Sequence, residues 1–189
     1  ALPISPDRYN VIGGAKPTGI CGSGLIDIVA AHLDHGNISP DGQIDENILI
    51  VPESDSGNNK DIILTQKDIR EVQLAKSALA AGMKILIAES GLQFHDLDAV
   101  YLAGGFGNYI RKDSAIRIGI FPEVLKEKII PVGNTSATGA LLALKSLSFN
   151  KIIDDNLNRM EYIELSENEN FELEFAMNTG SDWTFPVAC

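Results

Sequence analysis

Ala99-Val100-Tyr101-Leu102-Ala103-Gly104-Gly105-Phe106-Gly107-Asn108 is the stretch on which the reading of this chain turns. An unbroken apolar run enters a glycine-rich turn. Such a run between turn signals predicts a strand covered on both faces, as in a parallel sheet. The Gly-Gly-x-Gly at its end removes Cβ atoms and frees the backbone to lie flat against a ligand. N–H groups at a strand-to-helix turn suit a phosphate or a purine ring. A tight turn that needs glycine for its own geometry reads the same way, and both readings stay open at this point.

The flanking sequence extends the strand–turn–helix pattern. A helix is predicted from about Asp113 to Ile118, and a short strand over Ile129–Val132. Gly133-Asn134-Thr135-Ser136 then leads into a helix of small and aliphatic residues ending near Leu147, with Asn134 or Thr135 as its cap. Upstream, Ile48–Val51 and Ile62–Leu64 read as short strands. Thr65-Gln66-Lys67-Asp68 opens the longest helix, with a threonine cap and an acid three residues on. Ile69, Val72, Ala75, Leu79, Met83 and Leu86 are expected on its buried face, and Gly91 at its end. Leu25, Ile28, Val29 and Leu33 mark a further helix that stops at Gly36. This alternation predicts an α/β fold with a mixed sheet flanked by helices. After Phe149 the pattern changes: Tyr162-Ile163-Glu164-Leu165 and the alternating Phe171-Glu172-Leu173-Glu174-Phe175 read as half-buried strands. The expected division is therefore a main unit, 1–149, and an appended β tail, 150–189.

Bulk properties exclude several classes. The 189 residues are 44% apolar and 22% charged, the mix of a soluble globular protein. A net charge of −11, with no basic run, argues against nucleic-acid binding. Two separated cysteines, Cys21 and Cys189, support neither a disulfide framework nor a thiolate metal site, and suit a reduced, cytoplasmic setting. No apolar stretch reaches the roughly 18 residues of a membrane span.

Beside the glycine turn, two places could carry chemistry. Gln73, Lys76, Ala80 and Lys84 form a stripe at the edge of the long helix's buried side, within reach of a ligand held between subdomains; a solvated helix face is the plainer account. Gly22-Ser23-Gly24, with Cys21 before it and Asp27 after, opens a helix and could approach a phosphate. His32, His35 and His95 accompany no placed base–acid pair, so serine hydrolase chemistry is set aside. His32 and His35 are too loosely patterned for a metal site and are expected on the exposed side of a helix end.

Taken together these segments resemble a known group. Tyr101–Asn108 is similar to the adenosine motif of the actin/Hsp70/sugar-kinase superfamily, and Val132–Ala140 to its second connecting helix. Four segments in order resemble the reductive activators of corrinoid-dependent proteins: Val11–Pro17 with Gly19–Asp27, Leu64–Ile69, the Gly-Gly-Phe-Gly-Asn turn, and Gly133-Asn134-Thr135. The resemblance implies a ribonuclease H-like (actin-like ATPase) half. It also implies a full-length protein with an N-terminal [2Fe-2S] ferredoxin-like domain that uses ATP and Mg²⁺ to return Co(II) corrinoid to Co(I). By the same resemblance, Gly104, Gly105, Phe106, Gly107 and Asn108 form the adenosine turn. Gln73 and Lys76 face adenine and ribose, and Gly22, Ser23 and Gly24 approach the nucleotide from the helix start. The implied partner is the corrinoid protein of a methyltransferase system, and a homodimer is compatible with the family.

The sequence departs from the full pattern. The superfamily holds Mg²⁺ and the outer phosphates with two Asp-x-Gly hairpins at strand ends. The Asp55-Ser56-Gly57 triplet lies instead in a polar loop and is set aside as a decoy. Iron–sulfur cysteines are not found, so neither cluster nor Mg²⁺ is expected to be ligated by this chain. A fragment that carries the adenosine side of the cleft and does not hydrolyse ATP alone is the expectation. Three alternatives remain: an activator of 2-hydroxyacyl-CoA dehydratases, whose Cys-x-x-Gly-Thr-Gly resembles the sequence at Cys21; a sugar or acetate kinase fragment; and a partner-docking platform that never sees nucleotide.

Overall fold

A computed structural model of the chain describes residues 9–104, 109–179 and 183–186. Helix α1 (Gly22–Asp34) buries Ile26, Val29, Ala30 and Leu33. Its end is closed by N–H groups of His35 and Gly36 returning to the last carbonyls. Strands β1 (Ile48–Val51) and β2 (Ile62–Leu64) pair antiparallel, Ile48 opposite Leu64, with an irregularity between Leu49 and Val51. The 52–61 loop between them is tied at its base by the Glu53 N–H, which donates to Asp61 Oδ1 at 2.7 Å.

Helix α2 (Gln66–Glu89) starts on the expected capping box. The Asp68 N–H donates to Thr65 Oγ1 at 3.2 Å, and the Thr65 N–H donates to Asp68 Oδ2 at 2.8 Å. Its buried face is rotated from the expected one. Ile69 and Val72 are buried as read, but Ala75, Leu79 and Leu86 are exposed, and Gln73, Lys76, Ser77, Ala80, Ala81 and Ile85 are buried instead. The cause is tertiary: helix α6 (Phe171–Thr179) lies along α2, and Trp183 covers Lys76.

Strands β3 (Val100–Ala103) and β4 (Ile129–Gly133) pair parallel, Val100 opposite Ile129 and Leu102 opposite Pro131, with a shift before Ala103–Gly133. Between them, α3 (Lys112–Arg117), a 3-10 turn over Glu123–Lys128 and the link joining the two contribute Ala115, Ile118, Ile120, Phe121 and Leu125 to one core with α1, α2 and Ile129. Val100 and Leu102 pack on that core, while Tyr101 on the other face is 67% exposed. Among the described residues β3 is thus covered on one face, not two. The unbroken apolar run misled because Tyr101 and Ala103 face outward.

Asn134 and Ser146 cap helices α4 (Thr135–Lys145) and α5 (Leu147–Leu157), accepting from the N–H groups of Ala137 at 3.1 Å and Phe149 at 3.2 Å. The expected boundary at 149/150 falls inside α5. The β tail is overturned. Residues 171–179 are helical, and 162–165 form no strand but run into a 3-10 turn over Leu165–Glu167. Alternation over five residues also satisfies an i, i+4 helical pair, and Phe171 and Phe175 meet that way with ring centroids 6.2 Å apart. Docking on α2, with Glu174 bound to Lys84 at 2.8 Å, then selects the helix.

Candidate functional site

Parallel pairing places the carboxyl ends of β3 and β4 side by side, the position at which open α/β sheets receive ligands. The first turn begins at Gly104, whose φ of +96° favours glycine and whose Cβ position has no heavy atom within 4 Å among the described residues. Gly105, Phe106, Gly107 and Asn108 lie outside the described residues. The second turn is Gly133 with Asn134, and here the side chain acts as the helix cap.

Gln73 and Lys76 are each 1% exposed and already engaged. Gln73 Nε2 donates to the Asp41 carbonyl at 3.2 Å, and its Oε1 accepts from Arg70 at 2.6 Å, under the tight turn at Gly42. Lys76 Nζ lies 5.6 Å from the centre of the Trp183 ring, a cation–π contact. The stripe read as a ligand-facing edge is therefore interior in this arrangement.

Gly22, Ser23 and Gly24 form the first turn of α1, which starts without a side-chain cap. Ser23 Oγ lies 3.5 Å from Cys21 Sγ, and the Ser23 hydroxyl and Gly24 N–H hold the Cys21 thiol below its usual range. Cys21 and Gly24 face a cavity of about 360 Å³, walled by the 9–21 segment on one side and by Ile50, Val51 and Ile62 on the other. Gln73, Lys76 and Gly104 do not line it, so Cys21 and Gly24 stand apart from those three. About one turn beyond Gly24, Asp27 is buried with Oδ1 unpartnered among the described residues. Burial raises its carboxyl above the ordinary range, against the Ser114 hydroxyl and the Arg111 guanidinium.

Asp55-Ser56-Gly57 is a clamp. The Gly57 N–H donates to the Pro17 carbonyl at 2.7 Å, Asn58 Nδ2 to Thr18 at 3.0 Å, and Lys16 Nζ to the Ser54 carbonyl at 3.0 Å. A second such triplet, Asp34-His35-Gly36, closes α1. His32 is buried, contrary to the exposed placement expected, because it follows Val29 on the inner face of α1; Asn37 Nδ2 lies 2.9 Å from its Nδ1. Among the described residues no group of three or more His, Cys, Asp or Glu could hold a metal ion, and no helix is long and apolar enough to cross a membrane.

The sequence reading missed Trp183 and the cavity behind 9–21. The one available signal for the first was that Trp183 is the only tryptophan.

Comparison with known proteins places these helices and small sheets in an actin-like (ASKHA) ATPase domain. The family described as the C-terminal domain of RACo, the ASKHA domain, matches residues 4–182, and the chain belongs to that family. A corrinoid activation enzyme, RamQ, of Eubacterium limosum is 35% identical over 192 residues, covering 90% of this chain and 32% of that protein. The [Co(II) methylated amine-specific corrinoid protein] reductase of Methanosarcina barkeri is 32% identical over 142 residues, covering 75% of this chain and 25% of its own. The solved structure of a reductive activator for corrinoid, iron-sulfur protein superposes with a TM-score of 0.87 at 35% identity, over 93% of this chain and 30% of that one. The chain thus spans about a third of the length of the relatives it matches.

Proposed function

We propose that this chain supplies the adenosine-binding wall of an ATP-dependent reductive activator that restores Co(I) in a corrinoid protein of a methyltransferase system. The observation that carries the reading is Gly104: a positive φ, with no heavy atom at its Cβ position among the described residues, at the carboxyl end of a parallel strand, in a chain whose relatives are named as corrinoid activators. Bound ATP supplies the driving force for an electron transfer that is uphill for an ordinary ferredoxin. The chain's own contribution is to hold the nucleoside. Backbone at Gly104 faces the base and sugar, and Gln73 and Lys76, interior in this arrangement, offer an amide and an ammonium from α2. A cleft of this kind transmits nucleotide state only through a difference in affinity between its open and closed forms. Neither Mg²⁺ nor a [2Fe-2S] cluster is assigned to residues of this chain, and ATP turnover is not expected of it alone.

The test is calorimetric titration of ADP and ATP into the chain and into Gly105→Arg. Wild type is expected to bind, and the variant, with its helical circular dichroism unchanged, to lose at least about tenfold in affinity. Equal affinity in both would remove the turn from the site. No binding to either would favour a docking platform.

A further inference from the structure

On the face of α2 assigned to the nucleoside, Lys76 is covered by the protein's own tail. Along that face Gln73, Lys76, Ser77 and Ala80 are buried. The Trp183 indole sits over the Lys76 ammonium, and two turns on the Phe185 ring sits 5.7 Å from Lys84 Nζ. Phe185 is also held edge-on by Phe94, with centroids 5.2 Å apart. The strap Trp183–Pro186 has a built seat. A Cβ on Gly119 would stand 2.7 Å from the carbonyl carbon and oxygen of Thr184, so only glycine lets the strap backbone pass there.

Two features set Trp183 apart from an ordinary core residue. Its φ is +59°, a left-handed conformation that a bulky side chain rarely adopts. Its Nε1 is buried with no hydrogen-bond acceptor among the described residues. Both are costs borne for a planar, fused two-ring system laid on a lysine. Adenine is a planar, fused two-ring system as well, and it carries ring nitrogens that can accept from an ammonium, which an indole does not.

We infer that Trp183 stands in for the base on α2, and that the Trp183–Pro186 strap must leave Lys76 before an adenine nucleotide engages it. The strap is then an intrinsic competitor that sets apparent nucleotide affinity by the fraction of molecules in which it is open. This rests on the assignment of Gln73 and Lys76 to the nucleoside in the proposed function. It accounts for why Lys76 is interior.

Because Trp183 is the only tryptophan, the unmodified chain reports on itself. Its emission is followed while ADP is titrated, with binding measured independently by calorimetry. The expected result is emission that moves to longer wavelength, and acrylamide quenching that rises, in step with calorimetric saturation. Trp183→Leu, checked for fold by circular dichroism, should bind ADP about tenfold tighter, the gain expected if the strap is open in roughly a tenth of wild-type molecules. ADP binding with Trp183 emission unchanged and no gain in Trp183→Leu would overturn the strap and leave the proposed nucleotide site standing. No ADP binding by wild type or by a folded Trp183→Leu would overturn both. Should Trp183→Leu fail to fold, the wild-type emission alone decides.

Discussion

Helices α2 and α4 invert the usual relation between sequence and burial. Helix α2 is rich in charge yet buries a lysine and a glutamine. Helix α4 is mostly small and aliphatic, yet buries nothing among the described residues; Leu144 is 84% exposed. Nor does α5 bury anything, although it carries Leu147, Ile152 and Leu157. What differs is the neighbour. Helix α6 and the Trp183–Pro186 strap lie over α2, whereas α4 meets little beyond α5. Burial in this chain follows what is laid over a helix more than how apolar it is.

The contrast can be broken by substitution. Ile69→Ala, at a fully buried position on α2, should cost about 2–5 kcal/mol in urea unfolding, since it leaves a cavity in the main core. A loss under about 1 kcal/mol would mean that the α2 face is loosely held. A smaller, pH-dependent effect is expected at Asp27 on α1. Its carboxyl is raised in the folded state, so its favourable contribution is present below the unfolded value near pH ~3.9 and is lost as pH rises through the folded value. Asp27→Asn should therefore raise the melting temperature at pH 7 and lose that advantage on acidification. A gain that persists unchanged at pH 3 would assign the effect to packing. Least of all should change at Leu144→Ser, within about 0.5 kcal/mol by the same urea measurement. A loss comparable to that of Ile69→Ala would show that α4 is covered in solution.

Most of the elements were legible because their signals are local. The Thr65–Asp68 box, the strands at 48–51, 62–64 and 129–132, and the stops at Gly36 and Gly91 each rest on a few adjacent residues. The rotated face of α2 and the helical 171–179 were not legible, since both depend on contacts between α2 and a segment some ninety residues on, as in Lys84–Glu174. The candidate site divides the same way. Gly104 shows the positive φ that a glycine turn suggests, whereas the burial of Gln73 under the Gly42 turn and of Lys76 under Trp183 was hidden because both covers lie far off in sequence. The Asp55-Ser56-Gly57 loop was separable from a phosphate hairpin by its polar surroundings alone.

The two strand pairs also differ in when they can form. Strands β1 and β2 join across one short loop, Val51 meeting Ile62. For β3 and β4, which run parallel, Val100 waits for Ile129, with α3 and a 3-10 turn in between. Closing the longer loop costs more chain entropy before any contact repays it. Loop entropy therefore favours the hairpin forming first and the pair that ends at Gly104 and Gly133 forming after it.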